Sequence, residues 1–375
     1  MDEPLRFGAE EEYLLVDPVT GTTAPRAPQV LADAARELGE RAQAEFYRTQ
    51  VEACTRPVWT AEALREELLT VRTALAAAAT RAGCRLVATG TAVLPSRHPL
   101  PVTDHPRYHR IAQLLGAAVA DQLGGEVCGC HIHVGDLTRA EAIAVSNRLR
   151  PWLPVLQAIA TNSPFFEGQD VGLASCRAAR YSRWPLVGPP PLLDAAGYER
   201  AAEQLVASGR VVDRRGIYWY ARPSEHLPTL EVRIADVNAD LDVTVLLAVL
   251  IRALARVLLG EARAGLPAPP VRPPALREAH RRAARSGLAA TGVDPLTGTE
   301  LPMPRLLCAL LDRAAPGLAA AGDLDLARTL TAPLLSGRTG AQTQRAVLAR
   351  TGSLHRVVDQ LARLTAGIER PALAG

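Results

Sequence analysis

Lysine is absent from this chain, because all 42 basic residues among its 375 residues are arginine. A GC-rich genome explains such a bias, but the chemical consequence does not depend on its origin. Without a lysine amine there can be no Schiff base, no pyridoxal phosphate anchor and no P-loop lysine. Any phosphate chemistry must therefore use arginine side chains, backbone N–H groups or metal ions.

The chain also lacks the marks of secreted, membrane and nucleic-acid-binding proteins. Its six cysteines do not follow disulfide-framework spacing, and its polar N-terminus has no signal-peptide core. The longest apolar run, 243–259, is interrupted by Arg252 and Arg256, which predicts a buried helix rather than a membrane span. The net charge of +3 favours neither a membrane surface nor nucleic acid. We expect a cytoplasmic protein with small-molecule partners, and a homodimer stays open.

Hydrophobic periodicity and turn signals predict an α+β fold, with an antiparallel or mixed sheet followed by packed helices. The predicted strands are 6–16, 45–55, 86–92, 127–135, 217–221 and 229–235. The predicted helices are 28–38, 60–83, a helix opened by a capping box at 138–141 and split near Pro151 and Pro154, and most of the chain after 240. Residues 161–191 are predicted as a long ordered loop, and 1–375 as a single domain.

Three adjacent carboxylates, Glu10, Glu11 and Glu12, occupy the first predicted strand. Because side chains alternate between the faces of a strand, Glu10 and Glu12 share one face and Glu11 points to the other. Neighbouring carboxylates repel each other, and a divalent cation between them removes the repulsion. Their hard oxygen atoms suit Mg²⁺ or Mn²⁺. A solvated edge strand with ordinary surface acids is the alternative, and this motif alone does not decide.

Two further predicted strands present polar groups from one face. Gln50 and Glu52 share a face, although a half-exposed strand would look the same. Glu231 and Arg233 project together, opposite a continuous apolar face. A surface ion pair is the simpler explanation of Glu231 and Arg233. The functional interpretation assigns Glu231 to a cation and Arg233 to a carboxylate or phosphate.

The segment CGCHIHVG, residues 128–135, has the cysteine and histidine density of a zinc site. Strand alternation argues against one shared site, because His131 and His133 lie on one face and both cysteines on the other. The cysteines then behave as small core residues. The histidine pair, beside glycines that allow close approach of a ligand, faces a site.

An arginine cluster with aromatic neighbours follows in the second half of the chain. Arginine is the natural anion-binding residue in a protein without lysine. A solvated basic surface is the alternative for any single member. The cluster comprises Arg177, Arg180, Arg183 and Arg222, with Trp184, Tyr218, Trp219 and Tyr220.

Seven stretches resemble, in order and over most of the chain, the carboxylate–amine ligases of the type 2 glutamate–cysteine ligase family. They are FGAEEEYLLVDPVTG, QVEACT, CGCHIHVG, TNSPFFEGQDVGLASCR, RWPLVGPP, YWYARPSEHLPTLEVRIADV and ARSGLAATGVDPLTG. The resemblance implies a glutamine-synthetase-like catalytic fold whose sheet cups the active site. It also implies the use of ATP with Mg²⁺, with Mn²⁺ as the other cation considered.

The resemblance also implies roles for individual residues. The implied metal ligands are Glu10, Glu12, Glu52, Glu231 and His131. The implied nucleotide or substrate contacts are His131, His133, Arg177, Arg222 and Arg233. Arg233 and Glu52 are the implied catalytic residues.

The implied reaction activates an amino-acid carboxylate, the γ-carboxyl of glutamate, as an acyl phosphate. Cysteine or another amino acid then attacks, giving an amide, ADP and phosphate. Excluding water would protect the acyl phosphate, and residues 161–191 are the expected lid. Two alternatives stay open, namely a metal-dependent amidohydrolase and a non-catalytic protein that binds ATP and Mg²⁺.

Overall fold

The structure, a computed structural model, describes residues 5–116, 125–184 and 186–368. Eleven strands occur in these residues, and most of them form one sheet. The strands are β1 Phe7–Val16, β2 Ala42–Ala44, β3 Gln50–Cys54, β4 Arg85–Val87, β5 Gly129–Val134, β6 Phe165–Phe166, β7 Gln169–Asp170, β8 Ala221–Pro223, β9 Leu230–Asp236, β10 Thr291–Val293 and β11 Glu300–Pro302.

The helices of the described residues are concentrated in the second half of the chain. They are α1 Ala27–Leu38, α2 Ala61–Arg81, α3 Pro106–Leu115, α4 Arg139–Leu149, α5 Leu153–Ile159, α6 Cys176–Tyr181, α7 Ala195–Ala207, α8 Leu241–Arg263, α9 Pro273–Ser286, α10 Met303–Ala321, α11 Leu324–Leu335, α12 Gly340–Thr351 and α13 Leu354–Thr365. Short 3₁₀ turns at Gly39–Arg41 and Arg214–Gly216 complete the regular structure.

The central sheet has seven strands, and every pairing within it is antiparallel. Its order is β2–β3–β1–β5–β9–β8, and β4 pairs with the C-terminal end of β1. The long strand β1 pairs along one edge with β3. Along the other edge it pairs first with β5 and then with β4. The predicted antiparallel sheet with packed helices is therefore confirmed.

One face of the sheet is covered by α2 and α8. Alternate residues of three central strands point to that face and are buried, including Tyr13, Ile132 and Val232. Among the described residues only α8 has the length and hydropathy of a membrane-crossing helix, and most of it is buried inside the protein. The prediction that this apolar run is a core helix is confirmed, and the other face of the sheet is left for a cavity.

A buried ion pair joins the sheet to the covering helices. Arg72 of α2 donates from Nε and Nη2 to the two carboxylate oxygens of Glu11, at 2.8 and 2.6 Å. The same guanidinium donates to the carbonyls of Asn238 and Ala239, and the Thr244 hydroxyl donates to Glu11. Burial alone raises the pKa of Glu11, but the charge and hydrogen bonds of Arg72 bring that pKa below its usual value. Glu11 thus points away from Glu10 and Glu12, as strand alternation predicted.

Several local predictions are confirmed with small shifts at the ends. Thr60 caps α2 by accepting from the Ala63 amide, and Thr138 forms a capping box with Glu141 at the start of α4. The α4–α5 break falls between Leu149 and Leu153, where the two prolines were expected to split the helix. All six cysteines are free thiols, as expected.

Several predictions of secondary structure hold only in part. The strands predicted at 45–55 and 86–92 are shorter, since β3 begins at Gln50 and β4 ends at Val87. Residues 217–220 do not form a strand, because Trp219 and Tyr220 pack into hydrophobic clusters, Tyr218 lines a cavity, and β8 begins only at Ala221. Residues 161–191 are not one loop, since they contain the β6–β7 hairpin and α6, while residue 185 lies outside the described residues. The region after 240 is mostly helical, as predicted, and it also contains the unpredicted β10–β11 hairpin, which encloses the predicted turn at 294–298.

Removing one member of the Glu11–Arg72 pair should destabilise the protein strongly. We expect Arg72→Met to cost about 3–5 kcal/mol of unfolding free energy, because it leaves a buried carboxylate without its counter-charge. The double variant Glu11→Leu/Arg72→Met should recover much of that loss, since no charge is then buried. Chemical denaturation monitored by circular dichroism measures both effects.

The pH dependence of stability follows from the lowered pKa of Glu11. A carboxyl whose folded-state pKa is depressed stabilises the protein above its unfolded pKa of about 4.3, and this contribution is lost as the pH falls further.

Arg36→Ala is the control for Arg72→Met. Arg36 pairs with Asp33 at the surface, and its side chain is 83% exposed, so its removal should change stability little. Equal effects of Arg72→Met and Arg36→Ala would contradict the role of the buried pair.

Candidate active site

A cavity of about 520 Å³ opens on the sheet face opposite α2 and α8. Every residue to which the resemblance assigned a role lines this one cavity, although these residues come from six elements, β1, β3, β5, α6, β8 and β9. They are Glu10, Glu12, Glu52, His131, His133, Arg177, Arg222, Glu231 and Arg233.

Strand register explains why the acids of the first two motifs meet. In the antiparallel β1–β3 pair, Glu12 lies directly opposite Glu52. On the other edge of β1, Glu10 lies opposite His131 of β5. Residues directly opposite in antiparallel strands have Cβ atoms about 4.5–5.5 Å apart, so these side chains are adjacent on one face. The His131 Nδ1 atom is 3.3 Å from a Glu10 carboxylate oxygen.

The same register continues across the sheet to β8. His133 lies opposite Glu231 of β9, and Glu231 lies opposite Arg222 of β8. The His133 Nε2 atom is 3.3 Å from Glu10. Arg222 donates from Nε to Glu231 at 3.1 Å and from Nη1 to the Ile217 carbonyl at 2.7 Å. Five strands, β3, β1, β5, β9 and β8, thus deliver a continuous row of ionisable groups to one face of the sheet.

Two groups of potential metal ligands share the Glu10 carboxylate. One comprises Glu10, Glu52 and His131, and the other Glu10, His133 and Glu231. Within each group the ligand atoms lie within 4.8 Å of one another. Carboxylate oxygens with an imidazole nitrogen form a donor set that binds divalent cations. The sequence assigned His133 only to the nucleotide, whereas the geometry groups it with metal ligands.

Glu12 is placed somewhat differently from the other acids. One of its oxygens accepts the Gly129 amide at 2.5 Å, and the other is 3.5 Å from His131 Nε2. It still lines the cavity next to Glu52. The hydrogen bond from the Gly129 amide orients the Glu12 carboxylate and leaves its second oxygen facing the cavity.

Glu45 and Glu52, on the β3 side of the cavity, are poorly neutralised. Burial, followed by the charges of Glu10, Glu45 and Glu12, raises the pKa of Glu52 well above its usual value. Burial and the Glu12 charge raise the pKa of Glu45 to about 7. Both carboxyl groups would lose protons more readily if a cation entered between them.

The β9 side of the cavity has the opposite balance. Burial alone raises the pKa of Glu231, but the charges of Arg233 and Arg222 lower it far below the usual value. Burial, followed by the charge of Arg233, lowers the pKa of His131. Neutral imidazole is the form that binds a metal ion, so His131 is held in the ligating state.

Arg233 and Arg177 form a basic wall beside these acids. Arg233 pairs with Glu231, and its Nη1 atom is 3.4 Å from His131 Nδ1. Arg177 donates from Nη2 to the Arg233 carbonyl at 3.4 Å. The guanidinium groups of Arg177 and Arg233 lie 5.2 and 5.8 Å from the ring centres of Tyr181 and Tyr218. Acids and arginines therefore meet within one cavity, as a metal-bound phosphate would require.

Several lining residues were not predicted from the sequence. Glu45 was missed because strand alternation over 45–55 would place it on the face opposite Glu52. The structure has a turn between β2 and β3 instead, which brings Glu45 into the cavity. The side chains of Arg107, Tyr108 and Tyr181 line the cavity as well. Their only sequence signal was aromatic and arginine content near the predicted motifs.

The predicted arginine cluster is only partly assembled at the cavity. Arg180 packs over the Phe166 ring at 3.9 Å, outside the cavity, and Arg183 is exposed. Trp184 and Tyr218 line the cavity, whereas Trp219 packs on Tyr198 in a separate hydrophobic cluster. The solvated-surface alternative therefore holds for Arg183 and fails for Arg177 and Arg222.

Residues 6–360 match the model of glutamate-cysteine ligase family 2. A putative glutamate–cysteine ligase 2-1 of Saccharopolyspora erythraea is 43% identical over 372 residues, covering 99% of this chain and 97% of that protein. A putative glutamate–cysteine ligase 2 of Salinispora tropica is 42% identical over 365 residues, covering 97% of this chain and 95% of that protein.

Two solved structures share the fold at low sequence identity. The glutamate–cysteine ligase of Francisella tularensis, solved in complex with AMP, gives a TM-score of 0.73 at 12% identity, covering 99% of this chain and 91% of that one. A bifunctional glutathione synthetase of Pasteurella multocida gives 0.67 at 14% identity, covering 97% of this chain and 52% of that one. The expected fold class is confirmed. The chain belongs to glutamate–cysteine ligase family 2 and is a ligase that forms C–N bonds with the use of ATP.

Proposed function

We propose that this enzyme joins the γ-carboxyl of glutamate to the amine of cysteine or another amino acid. ATP phosphorylates the carboxylate, the amine attacks the acyl phosphate, and the products are an amide, ADP and phosphate. The observation that carries the proposal is the convergence of acids, histidines and arginines from separate strands in one cavity. The relatives are named putative glutamate–cysteine ligases, which supports glutamate as the donor.

Mg²⁺ is the proposed cation, and the residues of the cavity fit it. Glu10, Glu52 and His131 would hold one ion, while Glu10, His133 and Glu231 would hold another. Glu12 would add an oxygen beside the first group. Bound Mg²⁺ supplies positive charge that neutralises the ATP phosphates and favours in-line transfer of the γ-phosphoryl group. Mn²⁺ has the same ligand preference.

The arginines would bind the anionic parts of both substrates. Arg233 lies next to Glu231 and His131, where it would stabilise the charge of the transferred phosphoryl group. Arg222 donates to Glu231 and to backbone carbonyls, so it orients that acid while lining the cavity. The Nε atom of Arg177, on the same wall, has no hydrogen-bond partner in the described structure. None of these roles requires a lysine.

Glu45 is the proposed proton acceptor for the amine. It faces the cavity from the side of β3. Its pKa is about 7 without a cation, and bound Mg²⁺ would lower that pKa, so the Glu45 carboxylate can accept a proton at neutral pH. Tyr108, Tyr181 and Trp184 line the same region. These bulky side chains would limit the water that reaches an acyl phosphate.

The cellular setting and the lid stay proposals. Free cysteines suit a reducing, cytoplasmic compartment, where ATP and amino acids are available. Residues 161–191 contribute Arg177, Tyr181 and Trp184 to the cavity, as a lid would. A homodimer is retained as an expectation.

Purified enzyme should release ADP only when glutamate and an acceptor amine are both present with ATP and Mg²⁺. The measurement is ADP release across a panel of amino acids, followed by mass determination of the product, which should equal the sum of the two substrates minus water. Hydrolysis of an amide without ATP would favour the amidohydrolase instead. Binding of ATP without turnover of any pair would favour the non-catalytic protein.

Glu52→Gln should weaken Mg²⁺ binding and slow the ligase. We expect the losses of Mg²⁺ affinity and of rate to exceed the about 10–100-fold loss that follows when a partner of a metal ligand, rather than the ligand itself, is removed. Isothermal titration with Mg²⁺ and steady-state ADP release measure the two effects separately. Glu66→Gln, at an exposed position of α2, is the matched control and should change neither. Unchanged Mg²⁺ affinity and rate in Glu52→Gln would rule out a ligand role.

Glu45→Gln should remove the acidic limb of the pH–rate profile. A general base acts only when deprotonated, so kcat/KM of the unmodified enzyme should fall as the pH drops below the pKa of Glu45, which bound Mg²⁺ would hold below its cation-free value of about 7. The variant should be slower by about 10²–10⁴-fold and should lack this limb. Glu203→Gln, at an exposed position of α7, is the control. A variant that keeps both the limb and the rate would exclude Glu45 as the base.

A further inference from the structure

A buried carboxylate behind the cavity fastens the segment that carries Arg177. Asp236, at the end of β9, accepts hydrogen bonds from the Asn162 amide at 2.9 Å and from the hydroxyls of Ser163 and Ser175 at 2.7 and 2.8 Å. Asp236 is 2% exposed. It therefore joins both ends of the chain segment between α5 and α6 to the sheet.

The hydroxyls of Ser163 and Ser175 also bind backbone amides at and next to Arg177. Ser175 is the N-cap of α6, since its side chain accepts from the Ala178 amide. The Arg177 amide donates to the Ser163 hydroxyl at 3.1 Å. The backbone of Arg177 is thus set by the same hydroxyls that Asp236 binds. A shift of the Asp236 carboxylate would move the root of the arginine side chain.

The guanidinium of Arg177 is buried yet has few partners. Its Nη1 atom is 3.8 Å from an Asp236 oxygen, and its Nη2 atom donates to the Arg233 carbonyl at 3.4 Å. Nε has no hydrogen-bond partner in the described structure. Since an arginine has five N–H donors and buried donors are normally satisfied, those that remain suit an anionic oxygen in the cavity.

Gly129 leaves the space that this guanidinium occupies. It lies opposite Asp236 in the β5–β9 register, on the face that carries His131 and His133. A Cβ atom at Gly129 would be 2.2 Å from Arg177 Nη2 and 2.9 Å from Cζ. Any side chain at this position would therefore displace the guanidinium. The backbone angles of Gly129 are not in the left-handed region, so the requirement is for space alone.

We propose that Asp236 and Gly129 are positioning residues for Arg177. Asp236 holds the backbone and the charge of Arg177, and Gly129 leaves the space in which its guanidinium contacts β5 and the Arg233 carbonyl. The free donors then meet an anionic group of the substrates, a phosphate or a carboxylate. This inference rests on the proposed ligase function for the identity of that group.

A double-mutant cycle tests the positioning role. We expect Gly129→Ala and Arg177→Ala each to lower kcat/KM by about 10–100-fold, the value of a charge-assisted hydrogen bond, and to affect the same kinetic parameter of the same substrate. The double variant should be no slower than Arg177→Ala, because Gly129→Ala acts through an arginine that is already gone. Asp236→Asn should show the same non-additivity with Arg177→Ala.

Gly260→Ala is the matched control, because a Cβ atom at this exposed helical glycine of α8 meets nothing within 4 Å. Its kinetics should equal those of the unmodified enzyme. Thermal unfolding of every variant separates a folding defect from a positioning defect. If Gly129→Ala fails to fold, the Asp236→Asn cycle decides. Additive losses in the deciding cycle, or losses in different kinetic parameters, overturn the proposal while leaving the ligase function standing.

Absence of ADP release by the unmodified enzyme with every substrate pair would instead refute the proposed function. The same cycle would then be measured on the Kd of inorganic tripolyphosphate. Non-additive weakening of tripolyphosphate binding supports the positioning role without the ligase reaction. Additive weakening, or binding that does not change in Arg177→Ala, overturns it.

Discussion

Repulsion between carboxylates on one face of the sheet is the constraint around which the cavity is organised. Glu10, Glu12, Glu45 and Glu52 gather near β1 and β3, where no arginine pairs directly with Glu52 or Glu45 in the described structure. The raised pKa values of Glu52 and Glu45 reflect this imbalance. On the β9 side the imbalance disappears, because Arg222 and Arg233 flank the single acid Glu231. The cavity is thus divided into a side that attracts cations and a side that attracts anions. A cation bridged to a polyphosphate satisfies both sides at once.

Such a charged face can exist only because the opposite face is firmly packed. Because side chains alternate along β1, Glu11 points away from the cavity and contacts Arg72. The guanidinium of Arg72 also donates to the carbonyls of Asn238 and Ala239, just before α8 begins. The long apolar helix α8 covers the same face and belongs to the main core. Unpaired acids destabilise a fold, so the free energy that retains them must come from burial elsewhere. Within β1, Glu10 and Glu12 face the cavity, whereas Glu11 between them is buried in the ion pair with Arg72.

Much of this arrangement could be predicted from the sequence, and each failure has a physical cause. Side-chain alternation within a strand placed Glu10, Glu52 and Glu231 correctly, because in each case the whole motif lies inside a single strand. Alternation fails for Glu45, where the turn before β3 interrupts the period of two. Strand propensity fails at 217–220, because the aromatic residues there favour strands in general but pack against other parts of the protein here. Neither sequence periodicity nor propensity reports which residue will oppose which in the sheet.

The absence of lysine has a structural counterpart in how the arginines are held. A guanidinium has donors in several directions, so Arg222 can bind backbone carbonyls and Glu231 while still lining the cavity. Arg177 likewise bonds the Arg233 carbonyl and keeps Nε unpaired. An ammonium group at either position would be a single mobile point charge without this fixed fork. Because the arginines are anchored by some donors and keep others available, their charges are oriented before any substrate arrives. Preorganised charge of this kind is what lowers the barrier to phosphoryl transfer, since no reorganisation is then required at the moment of reaction.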